Sequence, residues 1–204
     1  MKTIWVTSDF HFGHGNAITQ FKRDDGTPLR DFESIEDMNE TIINNYNKVV
    51  KAGDSVYILG DVAINRRYIN LCGRLNGRKV LILGNHDIFT NHRSNDYEPY
   101  FDRIHSNKVY MRKGAAGEQD GVIMTHFPIV GNMERFAANI HGHTHWNLVG
   151  MDTTKRVSPE NTVSKWYVNV CVERTNYMPV NVIELMDMLK RGEHPITHGY
   201  PVGP

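Results

Sequence analysis

Short apolar runs rich in β-branched residues, several of them ending on residues that can bind a metal, constrain the fold of this 204-residue chain most strongly. The runs are TIWVTS (3–8), SVYILG (55–60), KVLILG (79–84), GVIMTH (121–126), WYVNVCVE (166–173) and PVNVIEL (179–185), all expected to be buried strands. Asp9 and His11 follow the first run, Asp61 the second, and Asn85, His86 and Asp87 the third, while His126 closes the fourth. Ligands in open α/β sheets gather beyond the carboxyl ends of the strands, so these groups should converge on one edge.

Between the first two runs, Ser34 is a plausible N-cap, and Ile35, Met38, Ile42, Tyr46 and Val49 recur at helical spacing before Gly53 ends the helix. A shorter helix is expected from about Asn65 to Leu75, stopped by Asn76-Gly77. Strands alternating with helices early, then mostly strands, indicate an α/β protein with a mixed sheet or two packed sheets. One domain is expected over residues 1–190, with 191–204 as an extended or mobile tail. The part from Ile88 to Asp120 has no clear period, and 150–165 is a polar connection of functional or disordered type.

The chain carries 23 acidic and 23 basic residues, which argues against a broad nucleic-acid surface. No apolar segment reaches the length of a signal-peptide core or a membrane span, so no membrane partner and a cytoplasmic location are expected. Cys72 and Cys171 lie far apart in apolar surroundings and are expected to be buried free thiols. Any metal site is then built from His, Asp and Asn.

The stretch NIHGHTHWN (139–147) places His141, His143 and His145 at alternate positions. Alone, such a segment reads equally well as a polar loop; with the other candidates it reads as part of a metal site. Asp9, Asp61, His11, His126, His143, His145 and Asn85 are too many ligands for one tetrahedral ion and suit two ions sharing a bridging carboxylate. Without a thiolate, two divalent or trivalent transition-metal ions are expected, manganese foremost, with iron, zinc, nickel and cobalt as alternatives.

In order, the chain reads Asp9-Phe10-His11, Gly60-Asp61, Gly84-Asn85-His86-Asp87, Thr125-His126 and Gly142-His143-Thr144-His145. These blocks closely resemble those of the calcineurin-like metallophosphoesterase superfamily, D-x-H, G-D, G-N-H-D/E, H and G-H-x-H. The resemblance covers about residues 1–185, and HFGHGNAI looks like the small single-domain members of bacteria and phages. It implies an αββα sandwich, two packed mixed sheets flanked by helices, with a dinuclear metal site at the strand C-terminal ends. By matching position, Asp9, His11, Asp61 and His145 would hold one metal, and Asn85, His126 and His143 the other, with Asp61 bridging. His86 would be the catalytic residue, facing substrate to stabilise the transition state or protonate the leaving oxygen.

The implied activity is hydrolysis of a small phosphate ester by a metal-bridging hydroxide, with a phosphodiester such as a nucleotide or cyclic nucleotide the leading substrate class. A phosphomonoesterase or nucleotide pyrophosphatase would use the same site, and a non-catalytic scaffold could keep the fold. Where the protein Ser/Thr phosphatases carry G-D-x-V-D-R-G, this chain reads Gly60-Asp61-Val62-Ala63-Ile64-Asn65-Arg66, which speaks against a protein phosphatase. His14, Arg66 and Arg67 remain candidate substrate contacts beside plain loop and surface roles. A structural role is expected for His141 and loop-backbone support for Asp87, while His92, His105, His194 and His198 read as surface or loop residues.

Overall fold

Alternation of apolar residues turns the first runs into two-faced strands. In the computed structural model, which describes residues 2–89, 94–113, 119–130 and 136–201, β1 (Ile4–Thr7) sends Trp5 to one side and Val6 to the other, both buried. The chain continues through α1 (Gly15–Thr19), α2 (Ile35–Val49), β2 (Ser55–Ile58), a 3-10 helix (Arg66–Arg74), β3 (Arg78–Ile82), α3 (Asn85–Phe89), α4 (Ser94–Tyr97) and β4 (Arg103–His105). It then runs through β5 (Asn107–Lys113), β6 (Gln119–Thr125), β7 (Ala138–His141), β8 (Tyr167–Asn169), β9 (Val180–Asn181), α5 (Val182–Lys190) and α6 (Pro195–His198).

One sheet has the order β4-β3-β2-β1-β9, with β1 to β4 parallel and β9 antiparallel; the other has the order β5-β6-β7-β8, with only β5 antiparallel to its neighbour. The two mixed sheets with flanking helices are the expected α/β architecture. Val6, Leu59, Ile82, Val122, Met124, Ile140 and Val168 form one buried cluster with the first residues of α5. Trp5, Val56, Ile58 and Leu81 pack with Met38, Ile42 and Tyr46 of α2 in a second cluster. Ser34 caps α2 by accepting from the Asp37 N–H at 3.0 Å. No helix among the described residues is long and apolar enough to cross a membrane.

Several expectations need correction. The 65–75 helix is of the tighter 3-10 type, capped by Asn65 accepting from the Arg67 N–H. The run 166–173 is strand only over Tyr167–Asn169; it then leaves β7, and Cys171 bridges to Ser8 while the Val172 N–H donates to the Ser8 carbonyl at 3.2 Å. That crossing stitches the two sheets together beside the ends of β1 and β7. The run 179–185 is strand only at Val180–Asn181, because the Asn181 side chain accepts from the Ile183 and Glu184 N–H groups and starts α5. Val182, Leu185, Met186 and Leu189 in fact recur at helical spacing. Beyond residue 191 the chain is not extended throughout: α6 is a helical turn with Pro195 at its start, and the Tyr200 hydroxyl donates to the Asn169 carbonyl.

If Asn181 starts α5, Asn181→Ala lowers stability by about 1 kcal/mol while Asn181→Asp keeps most of it. Urea unfolding should show this as a shifted midpoint with an unchanged slope; an unshifted alanine variant would remove the cap from the account.

Candidate metal centre

Five of the candidate ligands sit where the chain breaks out of its strands. Asp9, His11, Asp61, His143 and His145 all have left-handed backbones, with φ of 61°, 49°, 50°, 66° and 50°. Asp and His tolerate this region better than most residues, at a cost of about 1–2 kcal/mol each. The kinks are pinned to one another: the Asp9 N–H donates to the Gly60 carbonyl at 3.1 Å and the His11 N–H to the Asp61 carbonyl at 3.0 Å. Glycines flank them because no side chain fits. A Cβ on Gly84 would strike the Asp61 carboxylate, and one on Gly142 would strike Ser8 and Asp9.

The carboxylates are divided by function. Asp9 Oδ2 accepts from Ser8 Oγ at 2.5 Å, the His143 N–H at 2.9 Å and Cys171 Sγ at 3.2 Å, leaving Oδ1 buried without a hydrogen-bond partner. Asp61 Oδ1 accepts from the His86 N–H at 2.8 Å, and its Oδ2 lies 3.5 Å from both His11 Nε2 and His126 Nε2. Burial works against the Asp9 charge, yet contacts with His11, His145 and His126 hold its carboxyl well below the usual range. Burial and the Asp9 charge push Asp61 up to about 7. A buried carboxyl raised by another carboxylate, next to unpartnered acceptor atoms, is a site short of positive charge.

The imidazoles face the same space. His126 Nδ1 lies 2.7 Å from the Leu59 carbonyl and must donate to it, which turns the Nε2 lone pair toward Asn85 Oδ1 at 2.9 Å. With the amide oxygen facing the ring, a cation between the two would satisfy both acceptors. His145 Nδ1 donates to Glu173 Oε1 at 3.0 Å, leaving Nε2 free, and Glu173 is held by Arg30 at 2.8 Å. Both ring nitrogens of buried His11 lack a hydrogen-bond partner. Among the described residues, Asp9, His11 and His145 form one group able to hold an ion, Asp61, His126 and His143 a second, and His11, Asp61 and His86 a third. The donor set, hard carboxylate oxygens with imidazole nitrogens, fits two transition-metal ions.

His86 stands at the open side, about a third exposed, with Nε2 4.0 Å from Asp61 Oδ2. His14 lies ring to ring with His11 at 5.3 Å, its Nδ1 buried without a partner. Arg66 pairs with Asp96, and Arg67 donates to the Tyr68 hydroxyl at 3.0 Å; neither hydrogen-bonds a candidate ligand. His141 is buried against Tyr167, its Nδ1 bonded to the Gly142 carbonyl, and belongs to none of the three groups. Asp87 supports backbone: its carboxylate accepts from the N–H groups of Asp61, Val62 and Gly84 and from the Tyr97 hydroxyl. His105 lies on β4, His194 caps α6 and His198 lies within it, while His92 falls outside the described residues.

Sequence reasoning missed Ser8, Arg30, Cys171 and Glu173. Glu173 carried a faint signal as a charge closing an apolar run. Arg30 carried none, although it is fully buried and also donates to the Asp9 and Phe10 carbonyls at 2.6 and 2.7 Å. Both cysteines are buried free thiols, as expected.

Residues 2–192 match the family model described as calcineurin-like phosphoesterase. An uncharacterised protein of Methanocaldococcus jannaschii is 32% identical over 199 residues, covering 95% of this chain and 94% of its own. The gene 66 protein of Mycobacterium phage D29 is 30% identical over 209 residues, covering 90% of this chain and 98% of its own. Among solved structures, a protein of unknown function from Aquifex aeolicus superposes with a TM-score of 0.66 at 25% identity, covering 92% of this chain and all of that one.

Burial holds the imidazoles of His11, His14 and His141 down to about 3, 4 and 4. The unfolded chain takes up these three protons near pH 6.5 and the folded one only near pH 3–4, so stability falls as pH drops through that interval. Asp61, raised to about 7, acts in the opposite sense from about pH 4 to 7, as do Asp87 and His145, whose pKa values are also raised, while the lowered imidazoles of His86, His143 and His194 add to the first three. The melting temperature of chelator-treated protein should therefore fall steadily from pH 6.5 to 4; a flat profile would contradict this. Gly142→Ala should displace Asp9 and reduce the metal content of purified protein, and elemental analysis finding unchanged metal content would show that the close approach is not needed.

Proposed function

The chain belongs to the calcineurin-like phosphoesterase family, whose activity is metal-dependent hydrolysis of phosphate esters, and on that premise we propose that it is a dinuclear phosphodiesterase. In this reading Asp9, His11, Asp61 and His145 hold one ion and Asp61, Asn85, His126 and His143 the other. The observation that carries it is the position of Asp61 Oδ2, 3.5 Å from an imidazole nitrogen of each set. When bound, two such ions acidify water and neutralise charge on phosphoryl oxygens. Manganese leads the candidates, because carboxylate, amide and imidazole donors without thiolate suit it.

His86 faces the substrate. Burial lowers its proton affinity, so near neutral pH its ring is uncharged and offers a single N–H. That N–H donates to the ester's leaving oxygen or to a developing phosphoryl charge, and the anion in turn draws a proton onto the ring. His143 is held in position by its N–H bond to Asp9 and by its edge-on contact with Phe127 at 4.5 Å. Glu173 fixes the His145 ring so that Nε2 points inward.

A diester is favoured over a monoester because it presents one charge fewer. Arg66 and Arg67 are engaged at the surface, and Arg30 is committed to Glu173 beneath the site, so none of the three adds a cation to grip a dianion. A monoesterase or nucleotide pyrophosphatase would share the ligand set. Metal-stripped protein reloaded with manganese should turn over an aryl phosphodiester faster than the matching monoester. His86→Ala should lower kcat about 100-fold or more while retaining both ions by elemental analysis. Full turnover by that variant would remove His86 from the chemistry, and faster monoester turnover would reassign the enzyme as a phosphatase.

A further inference from the structure

Two arginines flank the His145 limb of the site outside any ion pair among the described residues, although Asp25 feels the Arg23 charge. The Arg23 guanidinium lies 4.0 Å from the centre of the Trp146 ring and that of Arg174 lies 4.6 Å from the same ring. Neither forms a salt bridge among the described residues, and both Nε–H groups are buried without a hydrogen-bond partner. Arg23 has one long bond, to the Leu29 carbonyl at 3.4 Å. Nearby Asp25 is turned back onto Thr27, accepting from its N–H and hydroxyl. Arg174 lies against the Tyr200 hydroxyl.

The placement ties this pair to the metal centre. Trp146 follows His145 in the chain, and Arg174 follows Glu173, which holds the His145 ring. Arg23 comes from the loop whose Phe21 ring, 43% exposed, meets His14 edge-on at 5.2 Å, while His14 in turn meets His11. An indole can hold one guanidinium by cation–π attraction, but a second on the same ring adds like-charge repulsion. A tetrahedral oxyanion bound between them would relieve that repulsion, because each guanidinium offers a fork of donors matched to phosphate oxygens.

We propose that Arg23, Trp146 and Arg174 form an anion subsite for a second, non-reacting phosphate of the substrate, beside the metal centre. The subsite rests on the phosphoesterase reading for its role in turnover, but not for its binding chemistry. It directs the substrate class toward organic phosphates with two phosphoryl groups, one reacting at the metals and the other held by the arginine pair.

The test separates the two readings. Inorganic phosphate is titrated into metal-stripped protein while indole emission is followed, with Trp146→Phe identifying which tryptophan responds. A saturable change is expected in the natural protein and in the charge-keeping variant R23K/R174K. The R23Q/R174Q variant should lose it while keeping its thermal transition. A natural protein without a saturable response, or an equal response in R23Q/R174Q, overturns the subsite whatever the enzyme's activity. With manganese restored, R23Q/R174Q should raise KM for a nucleoside diphosphate about tenfold relative to KM for an aryl phosphodiester. An unchanged KM ratio in a turning-over enzyme also overturns the subsite's role in substrate selection. Phosphate binding by the arginines in a protein that hydrolyses no ester supports the subsite and sinks the phosphodiesterase reading alone.

Discussion

The carboxylate of Asp87 ties together two of the loops on which the site is built. It accepts from the N–H groups of Asp61 and Val62, after β2, and of Gly84, after β3, and its fourth partner is the Tyr97 hydroxyl. Neither loop can satisfy these donors from within a strand, because the chain has left the ladder where Asp61 turns left-handed. With the loops joined, the Asp61 carboxylate is brought under the His86 N–H, which fixes Oδ1 and leaves Oδ2 facing the imidazoles. Burial opposes the Asp87 charge and raises its pKa despite three backbone donors, so the hub is stabilised by its hydrogen bonds against a real desolvation cost.

Strain and support recur as a pair around the site. Each left-handed residue is unfavourable alone, and each is fixed by contacts reaching across the fold: Asp9 to Gly60, His11 to Asp61, His143 to Asp9, and His145 to Glu173. Supports of this kind keep side chains aimed at shared space even when like charges oppose their approach. They also explain the glycines at 84 and 142, where neighbouring carboxylates occupy the volume that a Cβ would need.

The fold class was legible because strand burial leaves a local mark, and α2 was legible because a capped amphipathic helix leaves another. The metal-facing residues stood out because polar groups at the ends of apolar runs are conspicuous. α5 was misread: Pro179 to Leu185 is as apolar as a strand, and its identity depends on Asn181 capping the residues after it. The 3-10 geometry of Arg66–Arg74 left no period distinct from an α-helix. Arg30 and Glu173 were invisible for a different reason. They lie 143 positions apart, and each becomes informative only when the fold brings them together beneath Asp9 and His145.

That buried pair also limits where positive charge for phosphate chemistry can come from. Arg30 Nε and Nη2 both reach Glu173, and its remaining donors go to the Asp9 and Phe10 carbonyls and the Met38 sulfur, so its charge is used to hold the framework. Were it free to swing toward substrate, Glu173 would be left as an unpaired buried anion, a strongly unfavourable state. His145 would lose the same support, because it shares Glu173 Oε1 with the arginine. The framework is therefore neutralised internally, while the inner carboxylate oxygens of Asp9 and Asp61 face imidazoles whose charged forms burial disfavours. Charge balance at the centre of the site falls to bound cations, and recognition of any further anion falls to residues outside that framework.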